Sequence, residues 1–188
     1  RSEASAASAV IESLSSDTKG FFAGVQGSSR QMGGFKVDLA MNVGRLSSTQ
    51  NRFVNDNLAV LGESNAQSSF DSWFAMPEVK VSKEIINVSG WTITPEVGVR
   101  HAIQSIDGFT ETGSDAASIV SKRKISVTET HAELGFERGI TMGTLLGEIG
   151  YLNRHASGDD VSVTMIGITN NVGYGDNDKS SVYLGAGV

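Results

Sequence analysis

Apolar and polar residues alternate with a period of two along most of this chain, and the alternation restarts segment after segment. Phe35, Val37, Leu39, Met41 and Val43 form one set; Lys36, Asp38, Ala40, Asn42 and Gly44 lie between them. Successive side chains of an extended strand point to opposite sides of the pleat, so the two sets occupy opposite faces. Trp73, Ala75, Pro77, Val79 and Val81 stand in the same relation to Ser72, Phe74, Met76, Glu78, Lys80 and Ser82. Trp91, Ile93, Pro95, Val97 and Val99 oppose Thr92, Thr94, Glu96, Gly98 and Arg100. Thr130, Ala132, Leu134 and Phe136 oppose Glu129, His131, Glu133, Gly135 and Glu137. Leu145, Ile149 and Tyr151 oppose Glu148 and Gly150 less cleanly, and Val182, Leu184, Ala186 and Val188 close the chain on an apolar face. The pattern predicts about eight strands, near 18–28, 33–47, 67–86, 90–106, 122–138, 141–156, 160–171 and 179–188.

Several of these strands exceed the five or six residues usual in soluble domains, about the length expected of strands that cross a bilayer at a tilt. The links also alternate in length: short near 29–33, 86–90 and 138–141, longer and polar near 47–66 and 106–122, with a short one again near 156–160. Short turns on one side and long loops on the other are the habit of outer-membrane barrels. Residues 1–16 are rich in Ser and Ala and weakly patterned, and read as a lead-in, either a strand remnant or a loop; residues 17–188 read as the barrel domain.

Composition narrows the class. The chain has 188 residues, 22 Gly and only 2 Pro, with 39% hydrophobic residues, and a mean hydropathy of −0.10. No run of about 18 apolar residues offers a transmembrane helix, but a barrel strand needs only about 9–11 residues of alternating polarity. A net charge of −6 argues against a nucleic-acid binder, which carries a basic stripe. With no cysteine there are no disulfides or thiolate metal sites, which suits passage through an oxidising compartment.

Alternation alone fits two classes. A soluble sandwich hides its apolar face and wets its polar one, whereas a membrane barrel does the reverse. Two features favour the barrel. The polar face combines carboxylates with Gly44, Gly98, Gly135 and Gly150, and glycine there makes room for large neighbours inside a narrow barrel. The apolar face mixes small residues with Trp73, Trp91, Phe136 and Tyr151 toward strand ends, which suits lipid better than an interdigitated core. The expected fold is thus an all-β, antiparallel up-and-down transmembrane barrel. Lys36, Asp38, Glu78, Lys80, Glu96, Arg100, Glu129, Glu133, Glu137 and Glu148 are expected to line its lumen. Phe35, Val37, Leu39, Trp73, Val79, Trp91, Ile93, Val97, Val99, Leu134 and Phe136 are expected to face lipid. The alternative is a soluble all-β binding or adhesion domain with the apolar face as its core.

The order of features resembles the autotransporter β-domain family. The stretch WTITPEVGVRHAIQSIDGFTETGSDAASI, from Trp91 to Ile119, joins an apolar strand with a Thr-Pro step to Gly98, Arg100 and a loop reading Asp-Gly-Phe-Thr-Glu-Thr-Gly. Upstream, Gly34-Phe35-Lys36-Val37-Asp38 leads to Gly44-Arg45 and then Arg52; downstream come HAELGFERG, LLGEIGYLNRH and SSVYLGAGV. The resemblance implies an outer-membrane translocator or anchor, porin-like in build, for a covalently linked N-terminal passenger. Its implied partners are outer-membrane lipid and the barrel assembly machinery. Family barrels have about twelve strands and a terminal aromatic residue, so about eight strands here imply an incomplete barrel lacking both ends. Closure of eight strands on themselves is the alternative. Self-cleavage of the passenger, known in some relatives, is not carried over, because it draws on a linker Asn ahead of the barrel.

Enzymatic chemistry is not expected, and no cofactor is. The chain has no G-x-S-x-G elbow, H-E-x-x-H pair, P-loop or dinucleotide fingerprint. His101, His131 and His155 are far apart in sequence and no metal site is expected; His131 with Glu129 and Glu133 reads as part of a solvated polar face. Alternate residues on one strand lie nearly 7 Å apart, at about 3.3 Å per residue, so the carboxylates make a field rather than a catalytic dyad. The stretches Gly173–Asp178 and Asp107-Gly108 read as turns.

Overall fold

A computed structural model describes residues 2–4, 11–29, 33–55, 62–86 and 89–188. Its strands are β1 (Ser2–Ala4), β2 (Ile11–Ser28), β3 (Phe35–Asn55), β4 (Glu63–Lys83), β5 (Ile85–Ile86), β6 (Trp91–Ile106), β7 (Phe109–Thr110), β8 (Ser118–Val120), β9 (Arg123–Ile140), β10 (Gly143–Gly158), β11 (Val161–Met165), β12 (Ile168–Val172) and β13 (Asn177–Gly187). The main sheet is an antiparallel meander in the order β1-β2-β3-β4-β6-β9-β10-β13, with β5 pairing β6. β12, β11, β8 and β7 form a second, four-stranded sheet. The edge strands β1 and β13 do not pair with each other among the described residues, so the main sheet is open.

Register converts the sequence parity into two continuous faces. Val37, Val81, Val97, Ala132, Tyr151 and Val182 are successive cross-strand partners from β3 to β13. Lys36, Ser82, Glu96, Glu133, Gly150 and Tyr183 form the neighbouring row on the opposite face. The apolar face is the exposed one: Leu39 is 54% exposed and Val97 57%, whereas Ser72 and Ser82 on the polar face are buried. The sheet curls toward the polar face, since Tyr183 on β13 reaches past β10 to donate a hydrogen bond to Glu133 on β9 at 2.6 Å.

Two strand assignments differ from the sequence reading. Of the segment 47–66, read as a long loop, residues 47–55 and 63–66 are strand, since β3 runs to Asn55 and β4 starts at Glu63, each 21 residues long; residues 56–61 lie outside the described residues. Ser47, Ser48, Thr49, Gln50 and Asn51 are polar on both faces, so they carry no period-two signal although their backbone continues the ladder. The segment 160–171, read as a main-sheet strand, is instead the β11–β12 hairpin, paired to β8 and outside the main sheet. Its tight turn at Ile166 and Gly167, both with positive φ, ends β11 after five residues. The lead-in, read as a strand remnant or a loop, is strand where it is described: Ser2–Ala4 is β1 and residues 11–16 begin β2.

These differences sharpen the alternation of loops. The links between β2 and β3, β4 and β6, and β9 and β10 lie at one end of the sheet, the turn end. The links at 107–122 and 159–176 lie at the other, the loop end, and carry the second sheet.

Candidate functional site

The polar face of the main sheet brings most of the sequence-expected charged residues into one connected field. Lys36 pairs with Asp38 at 3.0 Å, and Lys80 sits 3.5 Å from Glu78 and 3.7 Å from Glu96. His131 Nε2 lies 3.2 Å from the same Glu96 carboxylate. Arg100 donates from Nε at 2.8 Å and from a second nitrogen to Glu129, which Arg154 also approaches at 3.8 Å. Glu96 and Glu133 are direct cross-strand partners, a like-charge placement that costs stability unless each carboxylate has its own donors. They do: Glu96 has Lys80 and His131, and Glu133 has Tyr183.

Glycine creates the space for this field. A Cβ on Gly98 would overlap the His131 ring, one on Gly150 the Tyr183 ring, and one on Gly44 the Phe74 ring. Each large side chain lies over a cross-strand neighbour that has none, and so stays close to the sheet. Glu137 and Glu148 have no ion-pair partner among the described residues; with Glu133, Thr94, Gly135 and Gly185 they line a cavity of about 420 Å³ near the turn end.

At the loop end the polar face is covered. The 107–122 segment folds back over it, with Gln67 and Thr112 exchanging backbone hydrogen bonds at 2.8 Å and Phe109 stacking on Phe70 at 4.7 Å. Its anchor is a buried ion pair. Arg52 donates from Nε to Glu111 at 3.1 Å and from a terminal nitrogen to the other carboxylate oxygen at 2.5 Å, a fork geometry that suits guanidinium and carboxylate. Arg52 also reaches the Ala116 carbonyl at 3.1 Å, and the Ser118 amide donates to Glu111 at 2.9 Å. Both charged side chains are only 8% exposed. Burial alone would push the Glu111 carboxyl up, but the Arg52 and Ser118 hydrogen bonds outweigh it and hold the group below its ordinary value. Val54, Ala66 and Ala116, with Met165 against them, pack beside this pair as a small core.

The polar-face set expected from sequence lies on one face, joined by residues that the sequence reading did not single out. Arg154 and Tyr183 share the parity of Glu148 and Gly150 through the β10–β13 register, a signal that was present. Glu111 was not legible, because a loop residue's partner depends on where the loop folds. The three histidines are not brought together: His131 lies on the polar face, while His101 bonds Thr128 and His155 bonds Asp178 on the other. The apolar set, including Phe35, Trp73, Val79, Trp91, Val99 and Leu134, occupies the exposed face.

A family model described as Autotransporter beta-domain matches residues 6–188 of the chain. No curated protein matches it.

Proposed function

The chain belongs to the autotransporter β-domain family, and from that premise we propose that its apolar face meets lipid while its polar face lines a water-filled passage for a linked passenger. The family is one of bacterial outer-membrane barrels that act as translocators and anchors in protein secretion. In this reading the passenger segment passes, or is held, along the field formed by Lys36, Asp38, Glu78, Lys80, Glu96, Arg100, Glu129, Glu133, Glu137 and Glu148. Lipid and the barrel assembly machinery are its further partners. Residues 17–188 act as the barrel unit.

The observation that carries the reading is the inversion of polarity. Val97, Leu134 and Val182 are 57%, 42% and 68% exposed, in a continuous apolar band. Water would expel such a band, whereas hydrocarbon solvates it without requiring interdigitation. The run from Phe35 to Val43 supplies eight residue steps, about 27 Å along the strand and about 20 Å along the membrane normal at a 40° tilt. That approaches the apolar height of a barrel, about 25 Å. A soluble adhesion domain would need the same band to be its core.

The test is electrical. Neutralising Glu96, Glu133 and Glu148 to Gln should change ion selectivity and conductance in a planar bilayer while the folded, heat-modifiable form on a gel is retained. Unchanged conductance with intact folding contradicts the proposed passage.

A further inference from the structure

The turn end of the exposed face carries a repeated arrangement that the passage does not use. Phe35, the first residue of β3, is the cross-strand partner of Lys83, the last residue of β4. Trp91, the first residue of β6, is the partner of Arg138 on β9. In both pairs the cation lies over the ring, Lys83 Nζ at 4.8 Å from the Phe35 centroid and the Arg138 guanidinium carbon at 5.6 Å from that of Trp91. Neither cation has a carboxylate partner among the described residues, a property shared with Lys19, Arg123, Lys124 and Lys179, but of the described cations these two lie over an aromatic ring. The rings continue the apolar band, with Ile93 and the exposed Ile85 beside them.

We propose that the Phe35–Lys83 and Trp91–Arg138 pairs are each a binding site for an anionic phospholipid headgroup at the turn-end rim of the exposed face. The inference rests on the lipid-facing reading of that face. A ring held flat under a cation satisfies one side of the charge and leaves its N–H groups free toward a phosphate, while the ring itself sits at the headgroup level where aromatic side chains are favoured. A juxtamembrane Lys or Arg near an anionic surface is worth about 1 kcal/mol, or about fivefold in affinity for each residue. The occupant is a phospholipid rather than a free anion because the site is continuous with the apolar band that would take its acyl chains.

Native mass spectrometry of the folded protein, released from micelles containing equal phosphatidylglycerol and phosphatidylcholine, tests this directly. Wild type should retain phosphatidylglycerol preferentially. Lys83→Gln and Arg138→Gln should each lower the preference about fivefold, and the double variant should abolish it. Lys83→Arg and Arg138→Lys should preserve it, and so should Lys124→Gln, an exposed lysine on the same strand and face at the loop end. Inorganic phosphate should not displace the lipid; displacement would assign the site to free phosphate and overturn the proposal. No headgroup preference in wild type, or one that survives the double variant, would also overturn it. Quenching of the two tryptophans, Trp73 and Trp91, by bromines on phosphatidylcholine acyl chains separates the two levels. Quenching without headgroup preference defeats the rim site alone, and absence of quenching defeats the lipid-facing reading beneath it.

Discussion

The middle of the main sheet and its loop end solve the burial problem in opposite ways. Across the middle, Val37, Val81, Val97 and Ala132 stand on the exposed face while Glu96, Glu133 and His131 are turned in. At the loop end, Val54 and Ala66 are each 1% exposed on the inward face of the same two strands, packed with Ala116 beside the Arg52–Glu111 pair. One strand, β3, thus changes convention along its length: Leu39 points out and Val54 points in. The proposed lipid contact accounts for the change. On that reading hydrocarbon surrounds the middle of the sheet and apolar residues belong outside, whereas beyond the band both sides meet water and apolar groups gain only by hiding under the folded-back loop.

Breaking the loop-end anchor should have the largest effect. Arg52→Ala leaves Glu111 buried without its countercharge and should cost about 3–5 kcal/mol locally. Hydrogen exchange should then show the 107–122 segment opening while the strand middles stay protected. Arg52→Met with Glu111→Leu, which removes both charges, should cost far less. Next come charges placed in the band: Val97→Arg or Leu134→Arg should each impair insertion by about 2–4 kcal/mol if near the bilayer midplane, read by folding titrations into vesicles. The corresponding change at Ser47, on the same face of β3 but beyond the band, should be close to silent.

Steric differences between the faces are smaller. Gly150→Ala should cost about 1–3 kcal/mol in denaturant titrations, because the new methyl meets the Tyr183 ring. Gly147→Ala, three residues away on the exposed face, meets nothing closer than 3.9 Å and should change little. The mildest perturbation is acid. Glu111 has a folded pKa below its unfolded one, so its contribution is complete above the ordinary carboxylate range and is lost as pH falls through the lower, folded value. Protease access to the 107–122 loop should therefore rise at low pH in the wild type, and the response should vanish in the double-neutral variant.

What could be read from the sequence follows the same division. Period-two alternation is strong only where the residues of the two faces differ in polarity, so 35–43, 91–99 and 130–136 were legible to the residue. It fades at 47–55, where Ser, Thr, Gln and Asn suit either face, and the extension of β3 and β4 beyond the band went unread. Val161, Val163 and Met165 alternate as a main-sheet strand does, yet their strand, β11, pairs with the loop strand β8 through Val163–Met165; alternation reports exposure, not which sheet a strand joins. The charged set on the polar face followed from parity, and the same parity would have added Arg154 and Tyr183. The Arg52–Glu111 pair joins positions 59 residues apart through a loop fold, and no local pattern encodes that meeting.

The absence of cysteine from the chain makes the central inversion directly measurable. Single cysteines at positions 96 and 133, and in separate variants at 97 and 134, would be exposed to a water-soluble maleimide after insertion into vesicles. Glu96→Cys and Glu133→Cys should react, while Val97→Cys and Leu134→Cys should stay protected until detergent is added. Reaction at 97 and 134 with protection at 96 and 133 would contradict the account and make the apolar face a dry interior.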